Sequence, residues 1–507
     1  MYRGKKSSAG SITVFASLSL LLVASFLLVL LEAARLKGLE AYQTMHSVNA
    51  TESVFSEYDR RLFETYGVFL LDGGYGSGEL QISQINGRLQ AAAQKNVRPV
   101  IPAQAWRNVQ DFYQMDVTDA SVTGFLLATD HEGAPFRAMA AASIKAQYPS
   151  ALLQKLHDGF LTSDQAMAGA ERSRAAMDSA QENIQSAKEK QAQEAASAEA
   201  GGSQEQEAAS VSVEDPMEVV KAVRKKDILT LVMPAGSAVS SKEIRQKQTL
   251  EERSLLQGNE AWDKTDGWSE AVLYQLFLQE QFTCYEPGAS GDRALDYELE
   301  YIHAGKKSDR ENLKCVVQQL LLMREGANYM YLQTDSVKQQ EAYGIATAIA
   351  ASVGIAPAAG LIAQGILAAW AYAESILDVR TLLAGGRISW MKTAQSWTSS
   401  LSGMGELLSG NMRAKEQEGG EAYRDYLQKL LWLHSRRSLA YRAMDLMELY
   451  GEQNGQKIRM DAMILSLRAE LVYEADALFS KMVTTNTLSA DRWEWKESVS
   501  YSYFRGD

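Results

Sequence analysis

Only two cysteines, Cys284 and Cys315, occur in this chain of 507 residues, too few for a fold held by a disulfide framework. If both face an oxidising exterior they close a loop of about thirty residues, for which loop entropy gives roughly 3 to 4 kcal/mol. Two free buried thiols are the other reading. Histidine is scarce too: His46, His131, His157, His303 and His434 are scattered, with no H-E-x-x-H and no pair four apart, which argues against a zinc site. A G-x-S-x-G elbow, a Walker A run, a C-x-x-C pair and a D-x-S-x-S cluster are all missing. The residues therefore point to no catalytic machinery, no cofactor and no metal. Basic charge is in deficit as well. A formal net charge of -12, a pI near 5.2 and the lack of a basic stripe with interleaved aromatics argue against nucleic acid as a partner.

What the chain does have is one long apolar run. Residues 1–10 carry Arg3, Lys5 and Lys6 and no acid, and Ser11 to Leu31 then runs without a charge. About twenty apolar helical residues cross a roughly 30 Å hydrocarbon layer with every backbone group bonded internally. The basic leader favours a cytoplasmic amino terminus, so 11–31 reads as a transmembrane signal anchor with the bulk of the chain extracytoplasmic. A cleaved secretory peptide would carry a shorter apolar region and a small-x-small site, whereas Glu32-Ala-Ala-Arg35 follows here. Beyond Leu31 the helix is expected to continue as a stem, with Leu36, Leu39, Tyr42 and Met45 on its packing side. Asp72-Gly-Gly-Tyr-Gly-Ser-Gly78 ends it. That run lacks the Lys-Ser/Thr ending of a phosphate loop and reads as a turn.

The remainder divides into a stem and first ectodomain unit (32–160), a polar helix and mobile linker (161–215), and a second ectodomain unit (216–507). In the first, a polar helix is expected near Ser83 to Lys95, strand-like pieces around Ala120 to Thr129 and a helix from Pro135. Asp227 to Pro234 reads as a short strand ending at its proline. Trp268 to Phe282 and Leu313 to Met323 carry helical apolar spacing, the latter opened by a Ser308/Glu311 capping box. Tyr343 to Ala373 is long enough to span a membrane, but it is rich in Ala and Gly and interrupted by Pro357. It reads as a helical hairpin, with a second span as the alternative. Tyr423 to Tyr450 is expected as one helix, Ile464 to Leu478 as strand or helix, and Trp493 to Tyr503, which alternates, as a strand. The fold class is α+β and helix-dominated.

Two polar constellations stand out. Glu298 and Glu300 alternate with apolar residues as on a strand, and paired carboxylates can do acid–base work. With no oriented nucleophile beside them, a solvated or ion-paired face is the expectation. Glu374 and Asp378 share a helix face, with Arg380 near enough to engage neighbouring groups, and an interhelical salt bridge is expected in preference to a calcium site.

Gly10-Ser-Ile-Thr-Val-Phe15 followed by the apolar helix resembles the amino terminus of TadE/TadG-like minor pseudopilins of tight-adherence pilus systems. In those proteins a glycine before the helix marks prepilin-peptidase cleavage, which the resemblance carries to Gly10 and Ser11. Phe15 stands at the fifth position, where they usually have glutamate. Phe55-Ser-Glu-Tyr-Asp-Arg-Arg-Leu-Phe63, Tyr297-Glu-Leu-Glu-Tyr301, and Trp370-Ala-Tyr-Ala-Glu374 with Asp378-Val-Arg380 resemble an uncharacterised bacterial domain family associated with such loci. The resemblance implies a non-catalytic structural or assembly role at the envelope, with the lipid bilayer and other pilus or secretion-system proteins as partners. A membrane-tethered sensor or ligand-binding module is the alternative reading.

Overall fold

The computed structural model describes residues 9–97, 112–199, 215–244, 248–264, 267–409, 411–479, 481 and 492–504. The basic leader lies almost wholly outside them, as do 200–214, on which the expected linker falls. The chain is helix-dominated α+β and forms two compact units. The first comprises 1–139, 255–264 and 456–507; the second comprises 140–254 and 265–455. The carboxy-terminal strands thus belong with the amino-terminal helix and not with the unit expected to run from 216 to 507. Strand hydrogen bonds are the cause, because the carboxy-terminal strands pair with one near residue 120.

In the first unit, α1 (Ala9–Phe55) is one continuous helix. From Ile12 to Leu31 it is apolar and exposed, with Phe15 72% and Leu31 52% accessible, and it is long and apolar enough to cross a membrane. Ser17 and Ser25 donate back to the carbonyls of Val14 and Leu22 at 2.9 Å, so neither hydroxyl needs water. After Leu31 the helix changes character. Glu32, Arg35, Leu39, Gln43, His46, Ala50 and Val54 are buried at three- and four-residue steps. Tyr42 and Met45, expected on the packing side, are 40% and 48% exposed, so the buried stripe is more polar than an apolar count predicts.

This stripe packs on an antiparallel sheet. Its central strand β3 (Met463–Asp476) pairs with β2 (Met115–Leu127) on one side and β4 (Arg492–Ser502) on the other, with the two-residue β1 (Leu71–Asp72) beside the start of β3. Leu467, Ala469, Leu471, Tyr473 and Ala475 point inward at every second position, where they meet Leu39, Ala50, Val54 and Phe55 of α1. Ile85, Leu89 and Ala93 of α3 (Ile82–Val97) join the same core. Each fully buried Leu, Ile, Val or Phe among them contributes about 1.5 to 3 kcal/mol. The short α2 (Arg60–Tyr66) is capped by Asp59, whose carboxylate accepts from Leu62 N. In the glycine-rich turn, Asp72 accepts from the amides of Gly74 and Gly76, which makes it a tight side-chain-braced loop. Beyond β2, α4 (Asp130–Ile144) begins with a left-handed stretch at His131, Glu132 and Gly133 before its regular part.

The second unit is built on three helices, α5 (Ser150–Glu199), α10 (Asp309–Leu332) and α12 (Ala359–Leu383), each packed on the other two. On α5 the buried stripe is Ala166, Ala170, Ser173, Met177, Ala180, Ile184 and Ala187. Expected as an exposed helix or a short coiled coil, α5 is a core helix over this length, because small residues let it approach its neighbours closely. Around these pack α6 (Pro216–Arg224), α7 (Ile228–Val232), α8 (Trp268–Gln281), α9 (Glu298–Ala304), α11 (Ser336–Ser352), α13 (Met404–Ser409), α14 (Tyr423–Trp432) and α15 (Arg436–Gln453). The Ala/Gly-rich segment is a hairpin of α11 and α12 turning through residues 353–358. The most apolar stretch of α12 is 83% buried in protein, and Glu374, Asp378 and Arg380 are buried on the same helix, which is the pattern of a core helix.

Three expectations need correcting here. Ile228–Val232 is a helical turn and not a strand; Asp227 opens it, and within the described residues of this unit β-pairing is limited to isolated bridges. The helix expected over Tyr423 to Tyr450 is two helices, because Ser435 caps a new one by accepting from Ser438 N. Glu298 and Glu300 sit on α9 and not on a strand; both are fully buried, so the solvated alternative fails while the ion-paired one holds for Glu298, 3.3 Å from Arg293.

Candidate functional site

The first charged residues after the apolar run are Glu32 and Arg35. Three apart on α1, they share a face and pair at 2.9 Å with both side chains buried. Arg35 also donates to the carbonyls of Phe112 (2.7 Å), Tyr113 (2.5 Å) and Asp476 (2.9 Å), while Glu32 accepts from Phe479 N at 2.8 Å. One guanidinium therefore ties the helix, at the point where its exposed apolar part ends, to the segment entering β2 and the segment leaving β3. A Cβ at Gly38 beside it would lie 2.9 Å from the Tyr113 hydroxyl, so that ring, which packs on Tyr42 at 4.5 Å, would have to shift. Further along α1, Ser47 Oγ and the Tyr473 hydroxyl are 2.7 Å apart. A buried charge is tolerated only when paired and hydrogen-bonded, and removing one partner of such a pair costs about 3 to 5 kcal/mol. The clamp thus makes the helix exit and the sheet one piece. Gly10 and Ser11 lie in the first turn of α1, at its other end.

In the second unit, a fully buried ionic network joins α10, α12 and the chain after α12. Arg324 donates from Nε to Asp378 at 3.0 Å, from Nη1 to the Trp390 carbonyl at 2.7 Å and the Tyr426 hydroxyl at 3.1 Å, and from Nη2 to Asn328 at 3.1 Å. Asn328 in turn donates to Ser375 and Asp378. Lys392 lies 2.7 Å from Glu374 and 2.7 Å from Asp378, and Glu374 also accepts from the amides of Thr398 and Ser399. Two cations face two carboxylates. Burial pushes the Asp378 carboxyl upward, but Arg324 and Lys392 outweigh it and hold the group below its ordinary range. The salt bridge expected for Glu374 and Asp378 is thus present, with Arg324 and Lys392 as partners. Arg380 is not among them: it donates to the carbonyls of Leu231, Leu408 and Met412.

Glu300 accepts from Tyr285 N and the Tyr423 hydroxyl, both at 2.8 Å, and its second oxygen has no hydrogen-bond partner. Burial raises its pKa to about 7. Glu298 instead accepts from Thr283 and Arg293. Beside them a cleft of about 210 Å³ is lined by Thr283, Cys284, Arg293, Asp296 and Arg424. The Cys284 thiol is pushed up to about 12, by burial and then by Glu300, so it stays protonated at neutral pH. Cys284 and Cys315 are both free, and the disulfide reading is set aside.

Two histidines far apart in sequence do meet. His303 Nδ1 and His434 Nε2 are 3.0 Å apart, and burial, His434 and Arg442 push His303 down to about 3. Among the described residues no group of three or more His, Cys, Asp or Glu side chains could hold a metal ion. The clamp and the cationic partners of the network were missed by motif reading, yet each leaves a trace. Glu32 and Arg35 are an i, i+3 pair at the edge of an apolar run, and Arg324 and Asn328 are an i, i+4 polar pair following the apolar face of α10.

These features define a helix-dominated α+β protein with an apolar amino-terminal helix fixed to an antiparallel sheet. The chain belongs to DUF5702, a family of unknown function, which matches over residues 205–475. No curated protein and no solved structure matches it.

Proposed function

We propose that this protein is a single-pass, membrane-anchored structural or assembly component of the bacterial cell envelope, pseudopilin-like, with both units extracytoplasmic and no catalytic role. The observation that carries this reading is α1 itself. One unbroken helix presents a bare apolar surface over residues 12–31 and is locked to a sheet over residues 32–55. A helix of that kind transmits position from a bilayer, or from a bundle of like helices, to a folded domain without a flexible joint. The resemblance of residues 10–31 to minor pseudopilins supports the same setting, with tight-adherence pilus or secretion-system proteins as partners. Supporting a non-catalytic role, Glu298 and Glu300 are both fully buried, Glu298 bonded to Thr283 and Arg293 and Glu300 to the Tyr285 amide and the Tyr423 hydroxyl.

The test is deletion of the gene with complementation by the full chain. Surface-fibre assembly or secretion is expected to fall and to recover, with the complementing chain in the membrane fraction. Unchanged fibres and secretion in the deletion strain would remove the assembly role.

A further inference from the structure

The Arg35 clamp fixes where the first unit stands relative to the end of the apolar run. Leu31, exposed, and Arg35 are four residues apart, about 6 Å along the helix at 1.5 Å per residue. The segments that Arg35 and Glu32 hold, at Phe112, Tyr113, Asp476 and Phe479, are therefore level with the first turn beyond the hydrocarbon boundary. The headgroup layer is about 5 to 8 Å thick on each face. Phe112 is 60% exposed at this level although its own carbonyl is fixed by the guanidinium. A phenylalanine ring has no polar tip to keep it in water, and at this level it gains by entering the boundary between headgroups and acyl chains, as the Trp, Phe and Leu side chains of interfacial helices do.

We propose that this end of the sheet is seated in the headgroup layer, with the Phe112 ring directed into the lipid, so that the first unit rests on the bilayer and is not carried away from it on a stem. The proposal rests on the membrane-anchor reading above. The occupant is the interfacial region of the bilayer as such, not an acidic lipid. The nearby rim carries Asp116, Glu474 and Asp476 against Arg492, and Arg492 is already engaged by Asp476 and Glu474 at 3.1 Å each. Contact with lipid here extends that of the exposed apolar residues 12–31, since Arg35, which holds Phe112, is one turn beyond Leu31 on the same helix.

The experiment uses the full chain with Cys284→Ala and Cys315→Ala, carrying in turn Leu21→Cys, Phe112→Cys or Ser53→Cys coupled to an environment-sensitive fluorophore. Each is reconstituted in phosphatidylcholine vesicles containing lipids with a nitroxide at the headgroup or at mid-chain. The expected result is loss of emission with the mid-chain nitroxide for position 21, loss with the headgroup nitroxide for position 112, and no loss at position 53. Adding phosphatidylglycerol should leave the pattern unchanged. Quenching at 21 without quenching at 112 would overturn the seating while leaving the anchor intact. No quenching at 21 would overturn the anchor reading itself, and the seating with it. Quenching at 112 only when phosphatidylglycerol is present would overturn seating by the aromatic ring.

Discussion

Glu300 is the residue whose chemistry the fold changes most visibly. It is enclosed, it accepts two hydrogen bonds through one oxygen, and its pKa is raised to about 7. A carboxylic acid whose folded pKa lies above its unfolded value retains its proton longer in the folded state. As pH rises from about 4.5 to about 7, the unfolded chain releases that proton first, so the group's contribution to stability falls over that window. Glu300→Gln keeps the acceptor oxygen and removes the titration. Its thermal midpoint should therefore fall less between those two pH values than that of the unaltered chain. A pair of parallel slopes would show that Glu300 does not titrate in that range. Asp378 illustrates the opposite outcome for the same residue class: equally buried, it stays ionised because Arg324 and Lys392 face it. Both carboxylates are visible in the sequence. Their protonation states are not, since burial decides in one case and Arg324 with Lys392 in the other.

At the scale of elements, the crossing of α5 and α10 depends on two glycines. A Cβ on Gly326 would lie 1.8 Å from the Ala166 carbonyl oxygen and 2.6 Å from Ala170 N, while one on Gly169 would lie 2.8 Å from the Gly326 carbonyl. The obstructing atoms are backbone, so no rotamer change relieves the clash and the helices must separate. Gly326→Ala should destabilise the second unit by at least about 1 to 3 kcal/mol, the usual cost of overpacking a core. Gly344→Ala on α11, where a Cβ meets nothing within 4 Å, should instead stabilise by about 0.4 to 1 kcal/mol through the unfolded state. Urea unfolding followed by circular dichroism distinguishes the two, and equal effects would show that close approach is not what Gly326 provides. Apolar periodicity alone found α8, α10, α14 and the strand character of β4. The helix of α5 was legible from residue 163 but its burial was not, since its buried stripe is mostly alanine and so is invisible to a count of large apolar residues. Periodicity failed on Ile228–Val232, where five residues satisfy a strand and a helical turn equally well.

At the scale of the molecule, the first unit gathers three separated stretches of chain, and β3 from the last of them is the strand on which β1, β2 and β4 all pair. A chain ending at Gly455 keeps every residue of the second unit and loses β3 and β4. Limited proteolysis of that truncation should leave a resistant fragment within residues 140–455, while Met115 to Leu127 becomes cleavable. Protection of 115–127 equal to that in the full chain would mean that β2 does not depend on β3.

The apolar run of residues 11–31, the helix-dominated α+β class and the hairpin around Pro357 were determined by the sequence, because each rests on local composition and period within one stretch of chain. Where the helix meets the sheet, which charges are buried together, and which strand stands at the centre were decided only by tertiary structure. Arg35 bonds to Asp476, Arg324 to Asp378 and β2 to β3 across long separations in sequence. The energy of each such contact comes from desolvating both partners at once, a quantity that no single segment carries.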